Sequence, residues 1–251
     1  MAETFRLPEI VDMARRSGKV SVDALAEHFG VTVQTIRRDL AELAEAGRLT
    51  RVHGGAVPFS GTHNIDYVER QSLNGDAKAA IAARCAAAIP DNTSVFLNIG
   101  TSTEAVARAL VGHRNLLVLT NNMNVAQIFA ASDSQVIVTG GVLRRSDGGL
   151  IGTLTTEAIR QFKPDIAVIG CSALDAEGDL RDYDIHEVGV SQTILRQSRR
   201  SFLVADHSKF RRSAPARIAS LAEMDAFFTD RPLPGGLAAR CAEWGTTVST
   251  G

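Results

Sequence analysis

Residues 21–57 read SVDALAEHFGVTVQTIRRDLAELAEAGRLTRVHGGAV, and the order of signals in this stretch decides what the amino-terminal part of the chain is. Ser21 stands where it can cap a helix, with Asp23 in the first turn to complement the helix dipole. Leu25, Ala26 and Phe29 supply a buried face, and Gly30 ends the helix. Val31 fills the turn. Thr32 is placed to cap the next helix, in which Ile36, Leu40 and Leu43 recur at helical spacing while Gln34, Thr35, Arg37 and Arg38 occupy the opposite side. These side chains suit the major groove: Gln pairs with an adenine edge, Arg with guanine or phosphate, Thr with phosphate or a thymine methyl. After Gly47, residues 48–55 alternate polar and apolar and close on glycines, a wing-like hairpin that carries Arg51 and His53 toward a DNA backbone. Upstream, Pro8 marks the first turn of a helix whose apolar stripe, Ile10, Val11 and Ala14, stops at Ser17-Gly18. On pattern alone, a small three-helix bundle with a solvated basic face remains an alternative to a winged helix-turn-helix.

Charge does not choose between them. Over residues 1–57, Arg6, Arg15, Arg16, Lys19, Arg37, Arg38, Arg48 and Arg51 are matched by eight acidic residues, and the whole chain carries a net charge of -1, so the position of charge has to decide. With 251 residues, 45% hydrophobic and 22% charged, the composition is that of a folded protein with room for one large domain or for a small domain plus a medium one, and length alone does not choose. No apolar run approaches the ~20 residues that cross a bilayer, and MAETFRLPEI lacks the pattern of a signal peptide, which predicts a cytoplasmic protein with no membrane partner. Cys85, Cys171 and Cys241 are far apart and odd in number, a pattern that predicts buried thiols and neither a disulfide framework nor a metal site.

Pro58-Phe59-Ser60-Gly61-Thr62-His63-Asn64 is a turn-rich break. It divides the chain into residues 1–57, a connecting segment 58–75 and a second domain 76–251. From Asp76 onward, helical patterns alternate with the apolar runs SVFLNI, LLVLT, QVIVTG, DIAVIG, SFLVAD and AFFTD, which predicts an α/β domain with a mostly parallel sheet covered on both faces. Ligands of such sheets collect at the carboxyl ends of strands. Asn98-Ile99-Gly100-Thr101-Ser102-Thr103 leaves one strand and enters a helix, offering hydroxyls, a close-approach glycine and helix amides to an anion, although Thr101 and Glu104 also satisfy a capping box that needs no ligand. Thr120-Asn121-Asn122, Thr139-Gly140-Gly141 with Arg144, and Asp206-His207-Ser208-Lys209 follow other strands. In this reading Lys209 supplies charge for a phosphate, and Asp206 or Glu187 accepts from sugar hydroxyls. The run Asp182-Tyr183-Asp184-Ile185-His186-Glu187 also gathers the groups a sugar-phosphate isomerase or deaminase would use for proton transfer.

Residues 21–57, with TIRRDL and the L-x-R-x-HGGA wing, closely resemble the DNA-binding domain of DeoR-type bacterial repressors. Lys78-Ala-Ala-Ile-Ala, Gly100-Thr101-Ser102, Thr120-Asn121, Gly140-Gly141-Val-Leu-Arg144, Asp206-His207-Ser208-Lys209-Phe210 and Thr229-Asp230 resemble that family's sensor domain. The resemblance covers essentially the whole chain. It implies a ribose-5-phosphate isomerase-like α/β sensor preceded by a winged helix-turn-helix, and a repressor of carbon metabolism that is not an enzyme and needs no cofactor. It implies that Thr32, Gln34, Thr35, Arg37 and Arg38 lie at operator DNA with Arg51 and His53 on the wing. It further implies that Gly100, Thr101, Ser102, Thr103, Asn121, Gly140, Gly141, Arg144, His186, Glu187, Asp206 and Lys209 surround a phosphorylated effector. The strings around Asp147-Gly148-Gly149 and residues 183–187 are most similar to the branch of the family that implies glycerol 3-phosphate. That compound has no carbonyl to acidify a carbon hydrogen, so a base beside it has nothing to abstract. Pairing through the sensor domains into a dimer or tetramer is expected to place several heads on one DNA face.

Overall fold

The computed structural model describes residues 3–58 and 64–251, so Phe59 to His63 of the turn-rich break lie outside the described residues. The described chain divides into two compact units, one of residues 3–58 with 68–73, the other of residues 64–67 and 74–251.

The first unit contains α1 (Glu3–Ser17), β1 (Val20–Ser21), α2 (Val22–Phe29), α3 (Val33–Glu45), β2 (Leu49–Val52) and β3 (Gly55–Pro58). Ser21 caps α2 by accepting from the Ala24 amide, and Thr32 caps α3 by accepting from that of Thr35. Gly30, with φ 61°, closes α2 in the left-handed conformation. One expectation needs correcting: Pro8 lies within α1, which begins at Glu3, so proline does not mark its first turn. A proline this early forgoes only one backbone bond near the helix start, which the rest of α1 tolerates. Ile10, Val11, Ala14, Leu25, Ile36, Leu40, Leu43, Leu49 and Ala56 form one core. β2 and β3 pair in antiparallel register around a two-residue turn at His53-Gly54, and β1 adds to β3, making the wing a three-stranded sheet.

Asp39 is the polar exception in that core. Its carboxylate is 2% exposed and receives two bonds from Arg6, from Nε at 2.5 Å and from Nη2 at 3.0 Å, fastening α3 to α1. Asp39→Ala removes the carboxylate that neutralises a mostly buried guanidinium, and breaking such a pair costs about 3 kcal/mol or more. Hydrogen exchange is expected to show earlier opening of α1 and α3 while protection of the second unit stays unchanged.

Beyond α4 (Tyr67–Ser72), the second unit runs α5 (Gly75–Ala87), β4 (Ser94–Leu97), α6 (Thr101–Leu110), β5 (Leu117–Thr120), α7 (Met123–Phe129), β6 (Gln135–Val138), β7 (Val142–Arg144), β8 (Gly149–Ile151), α8 (Thr153–Arg160), β9 (Ile166–Ile169), β10 (Ala173–Leu174), β11 (Asp179–Asp182), α9 (Ile185–Gln197), β12 (Arg200–Val204), β13 (Ala216–Ser220), β14 (Ala226–Phe228), α10 (Leu237–Trp244) and β15 (Thr247–Ser249). Seven strands form one sheet in the order β15-β14-β12-β9-β4-β5-β6. Every pairing in it is parallel. Alternate residues of each strand enter opposite cores. Val95, Leu97, Val118, Val168 and Phe202 pack with Ile81, Cys85 and Val106, whereas Phe96, Leu119, Ala167 and Leu203 pack with Ile159, Val188 and Ile194. Continuous apolar strands buried on both sides are what a parallel sheet requires. The sequence reading did not include the β10-β11-β13 antiparallel sheet, the β7-β8 hairpin or β15.

Sheet order fixes where a site can form. The chain runs outward from β4 through β5 to β6, then returns to build β9, β12, β14 and β15 on the other side of β4. The loops leaving β4 and β9 therefore diverge, opening a crevice at the carboxyl ends of these neighbours.

Candidate functional site

On α3 the inner side buries Ile36, Asp39, Leu40 and Leu43, leaving Gln34, Arg37 and Arg38 exposed together. Arg51 and His53 are exposed on the wing. The two threonines have a different local job. Thr35 is half-buried, its amide donates to the Thr32 hydroxyl at 3.1 Å, and the two hydroxyls lie 2.9 Å apart, so this pair fixes the start of the helix. Gln34, Arg37 and Arg38 supply three long polar side chains on one helical face, the arrangement that reads base edges and phosphates.

At the strand tips, Gly100 enters α6 at φ 138° and ψ 150°, a conformation reserved for glycine, and as the N-cap residue it brings no side chain of its own to the helix start. The expected capping-box alternative is not what the chain builds. The helix already starts at Thr101, and Glu104, 1% exposed, accepts from the Tyr67 hydroxyl at 2.9 Å, from Asn124 at 3.0 Å and from Asn122 at 3.3 Å. Thr103 donates to the Asn98 carbonyl at 2.7 Å, tightening the loop, and Ser102 is buried beside it. The amino end of α6, the positive end of its helix dipole, follows the carboxyl end of β4, where such an end favours an anion.

Neighbouring tips add polar groups. Asn121 is fully buried after β5, its Nδ2 donates to the Leu150 carbonyl at 3.2 Å, and its Oδ1 accepts from nothing among the described residues, a cost of about 1–3 kcal/mol unless a donor arrives. Gly141 adopts φ 139°, and a Cβ there would stand 1.9 Å from the Thr155 hydroxyl and 2.8 Å from the Ile151 carbonyl, so only glycine lets β7 pass α8. The neighbouring Gly140 carbonyl accepts from Thr155 at 2.7 Å.

Arg144 is the centre of a clasp. Its guanidinium donates to both oxygens of Asp147 at 2.9 and 2.6 Å, to Asp184 at 2.8 Å and to Glu187 at 2.6 Å, joining the β7-β8 turn to the start of α9. Its donors are therefore already committed to three acidic side chains. Burial, reinforced by Asp182 and opposed by Arg144, pushes the Glu187 carboxyl up to about 8. Asp184 additionally caps α9 by accepting from the His186 amide, and His186 itself is exposed. Carboxylates committed to a guanidinium and a helix cap, beside an exposed imidazole, are not arranged as a proton-transfer pair.

The remaining tip is the turn 206–209. Asp206 is buried and receives the Ser208 amide at 3.0 Å and the Asn74 amide group at 2.8 Å. Burial pushes its carboxyl up, but the charge of Lys209 and the Ser208 bonds hold it down at about 2. Lys209 lies on this same turn, which follows β12, the strand paired with β9. His207 is locked by two 2.7 Å bonds to Asp230. Tyr67, Asn74, Glu104, Asn124 and Asp147 were not singled out as site residues. The sequence signals among them were Glu104, spaced from Thr101 as in a capping box, and Asp147, in the string Asp147-Gly148-Gly149.

Comparison with known proteins follows the same division. The DeoR-like helix-turn-helix domain matches residues 6–61 and the DeoR C terminal sensor domain matches residues 73–231. The glycerol-3-phosphate regulon repressor of Escherichia coli (strain K12) is 43% identical over 235 residues, 93% of each chain. Its counterpart from Haemophilus influenzae is 44% identical over 229 residues, 91% of this chain and 90% of its own. Ribose 5-phosphate isomerase A from Methanocaldococcus jannaschii, at 12% identity, superposes on 55% of either chain with a TM-score of 0.42. Both of these sequence relatives are repressors rather than enzymes.

Proposed function

We propose, from the premise that the chain belongs to the DeoR family of DNA-binding transcriptional repressors, that it represses a carbon-metabolism operon in the cytoplasm and leaves its operator when a phosphorylated metabolite binds, with glycerol 3-phosphate as that effector. Residues 1–57 hold the DNA, residues 76–251 hold the metabolite, and residues 58–75 connect them. The observation that carries this reading is the glycine-led start of α6 at Gly100, beside the point where the sheet order reverses between β4 and β9. An anion there meets helix amides on one side and the Lys209 cation on the other. The buried Oδ1 of Asn121 offers an acceptor to an effector hydroxyl. Glycerol 3-phosphate presents a dianionic phosphate and two hydroxyls, matching that set, and the name of the E. coli relative points to the same compound. Subunits associate through their sensor domains as a dimer or tetramer, so that paired heads meet repeated half-sites.

A thermal-shift series tests the effector. Glycerol 3-phosphate at a hundredfold over its dissociation constant stabilises the liganded unit by about 2.7 kcal/mol, a rise of several degrees in melting temperature. Glycerol and inorganic phosphate alone are expected to give less. A larger shift with ribose 5-phosphate or glucosamine 6-phosphate would reassign the effector.

A further inference from the structure

Two side chains that flank α4 bond to two different strand-tip loops. Tyr67, at its start, donates its hydroxyl to Glu104 in the first turn of α6 at 2.9 Å, and the Asn124 amide group meets that same hydroxyl at 2.8 Å. Asn74, two residues beyond its end, donates to Asp206 at 2.8 Å, on the turn that carries Lys209. Both acceptors are buried carboxylates, so neither bond is readily replaced by water. Asn74 also holds φ 54° and ψ 40°, a left-handed residue just before α5. Tyr67 and Asn74 group with the sheet, whereas residues 68–73 between them group with the winged unit, where Glu69 pairs with Lys19 immediately before β1.

We propose that Tyr67 and Asn74 are coupling residues: their bonds to Glu104 and Asp206 are the tethers through which the effector sets the position of α4 and thereby DNA affinity. The inference rests on the effector reading above. An anion drawn to the amino end of α6 acts on the turn that contains Glu104, and an anion that takes a share of the Lys209 charge loosens the partner that steadies Asp206. Both acceptors respond to one ligand, and α4 responds to both acceptors.

Tyr67→Phe deletes only a hydroxyl, and Asn74→Gly keeps the left-handed backbone while deleting the amide group. In the full-length protein, each variant is expected to bind glycerol 3-phosphate and, without it, operator DNA, within about threefold of wild type. The fold-loss of operator affinity at saturating glycerol 3-phosphate is expected to shrink at least threefold in each and to disappear in the double variant. Amide exchange over residues 68–72 rises about tenfold in the double variant without any ligand, reporting a released α4. Ser72→Ala, which removes a bond to the Glu69 carbonyl inside α4 and touches neither tether, keeps the wild-type response. A double variant that still responds fully overturns the proposal, as does a Ser72→Ala variant that loses its response. If wild type itself ignores glycerol 3-phosphate, the effector reading fails separately, and exchange alone decides: unchanged protection of residues 68–72 in the double variant then overturns the tethers.

Discussion

Arg37→Ala is expected to lower operator affinity about 10²- to 10³-fold while glycerol 3-phosphate binding stays within twofold of wild type. Arg37 is exposed on the face of α3 opposite Ile36 and Leu40, so its loss removes a contact without opening the core. An arginine that reads a base edge contributes about 1–3 kcal/mol, and in a paired assembly both heads lose it. The way affinity falls tells which contact was lost. Relaxed specificity at one operator position marks a base contact, whereas uniform weakening with a shallower salt dependence, by about one unit of slope per head, marks a phosphate contact. A variant that binds operator as tightly as wild type would remove α3 from the DNA interface.

Lys209→Ala is expected to give the opposite phenotype: operator affinity within threefold of wild type, with the glycerol 3-phosphate concentration needed for release raised about 10- to 100-fold. A charge-assisted bond to phosphate accounts for about 1.5–3 kcal/mol of that loss. Lys209 has a second duty, because its charge helps hold the buried Asp206 carboxyl at about 2. Lys209→Gln helps separate the two, since it keeps an N–H donor, on a side chain one bond shorter, and removes the charge. Calorimetric titration of both variants with glycerol 3-phosphate gives the comparison, and normal metabolite affinity in either would move the anion away from the 206–209 turn.

Much of the architecture was legible because each signal was local. Ser21, Gly30 and Thr32 announce a cap, a stop and a cap within twelve positions, and the Val/Ile/Leu runs of the parallel sheet carry their own burial. β10 has two residues and β7 and β8 three each, too short for any periodicity to emerge, so the small antiparallel elements stayed hidden. Pro8 misled because its preference for a first turn was outweighed by residues upstream that continue α1.

The chemistry of the crevice was less legible, since it depends on partners distant in sequence. Arg144 reads in the sequence only as a cation at a strand tip; that α9 brings Asp184 and Glu187 against it comes from residues forty and forty-three positions away. His186 reads as part of a proton-transfer set until the first turn of α9 leaves it exposed beside its committed neighbours. Glu104 fits a capping box by spacing, yet Tyr67, thirty-seven residues upstream, claims its carboxylate. Each of these assignments turns on a tertiary contact that a linear pattern does not encode.

The central claim is that a phosphorylated metabolite at the strand tips weakens the grip of the winged heads on DNA. Fluorescence anisotropy measures this directly: an operator duplex selected by the protein from random sequence is titrated at fixed salt, with and without saturating glycerol 3-phosphate. A coupling of about 1–3 kcal/mol predicts that the metabolite raises the operator dissociation constant about 5- to 150-fold. Superimposable titrations, with the metabolite shown calorimetrically to be bound in the same sample, would contradict the account.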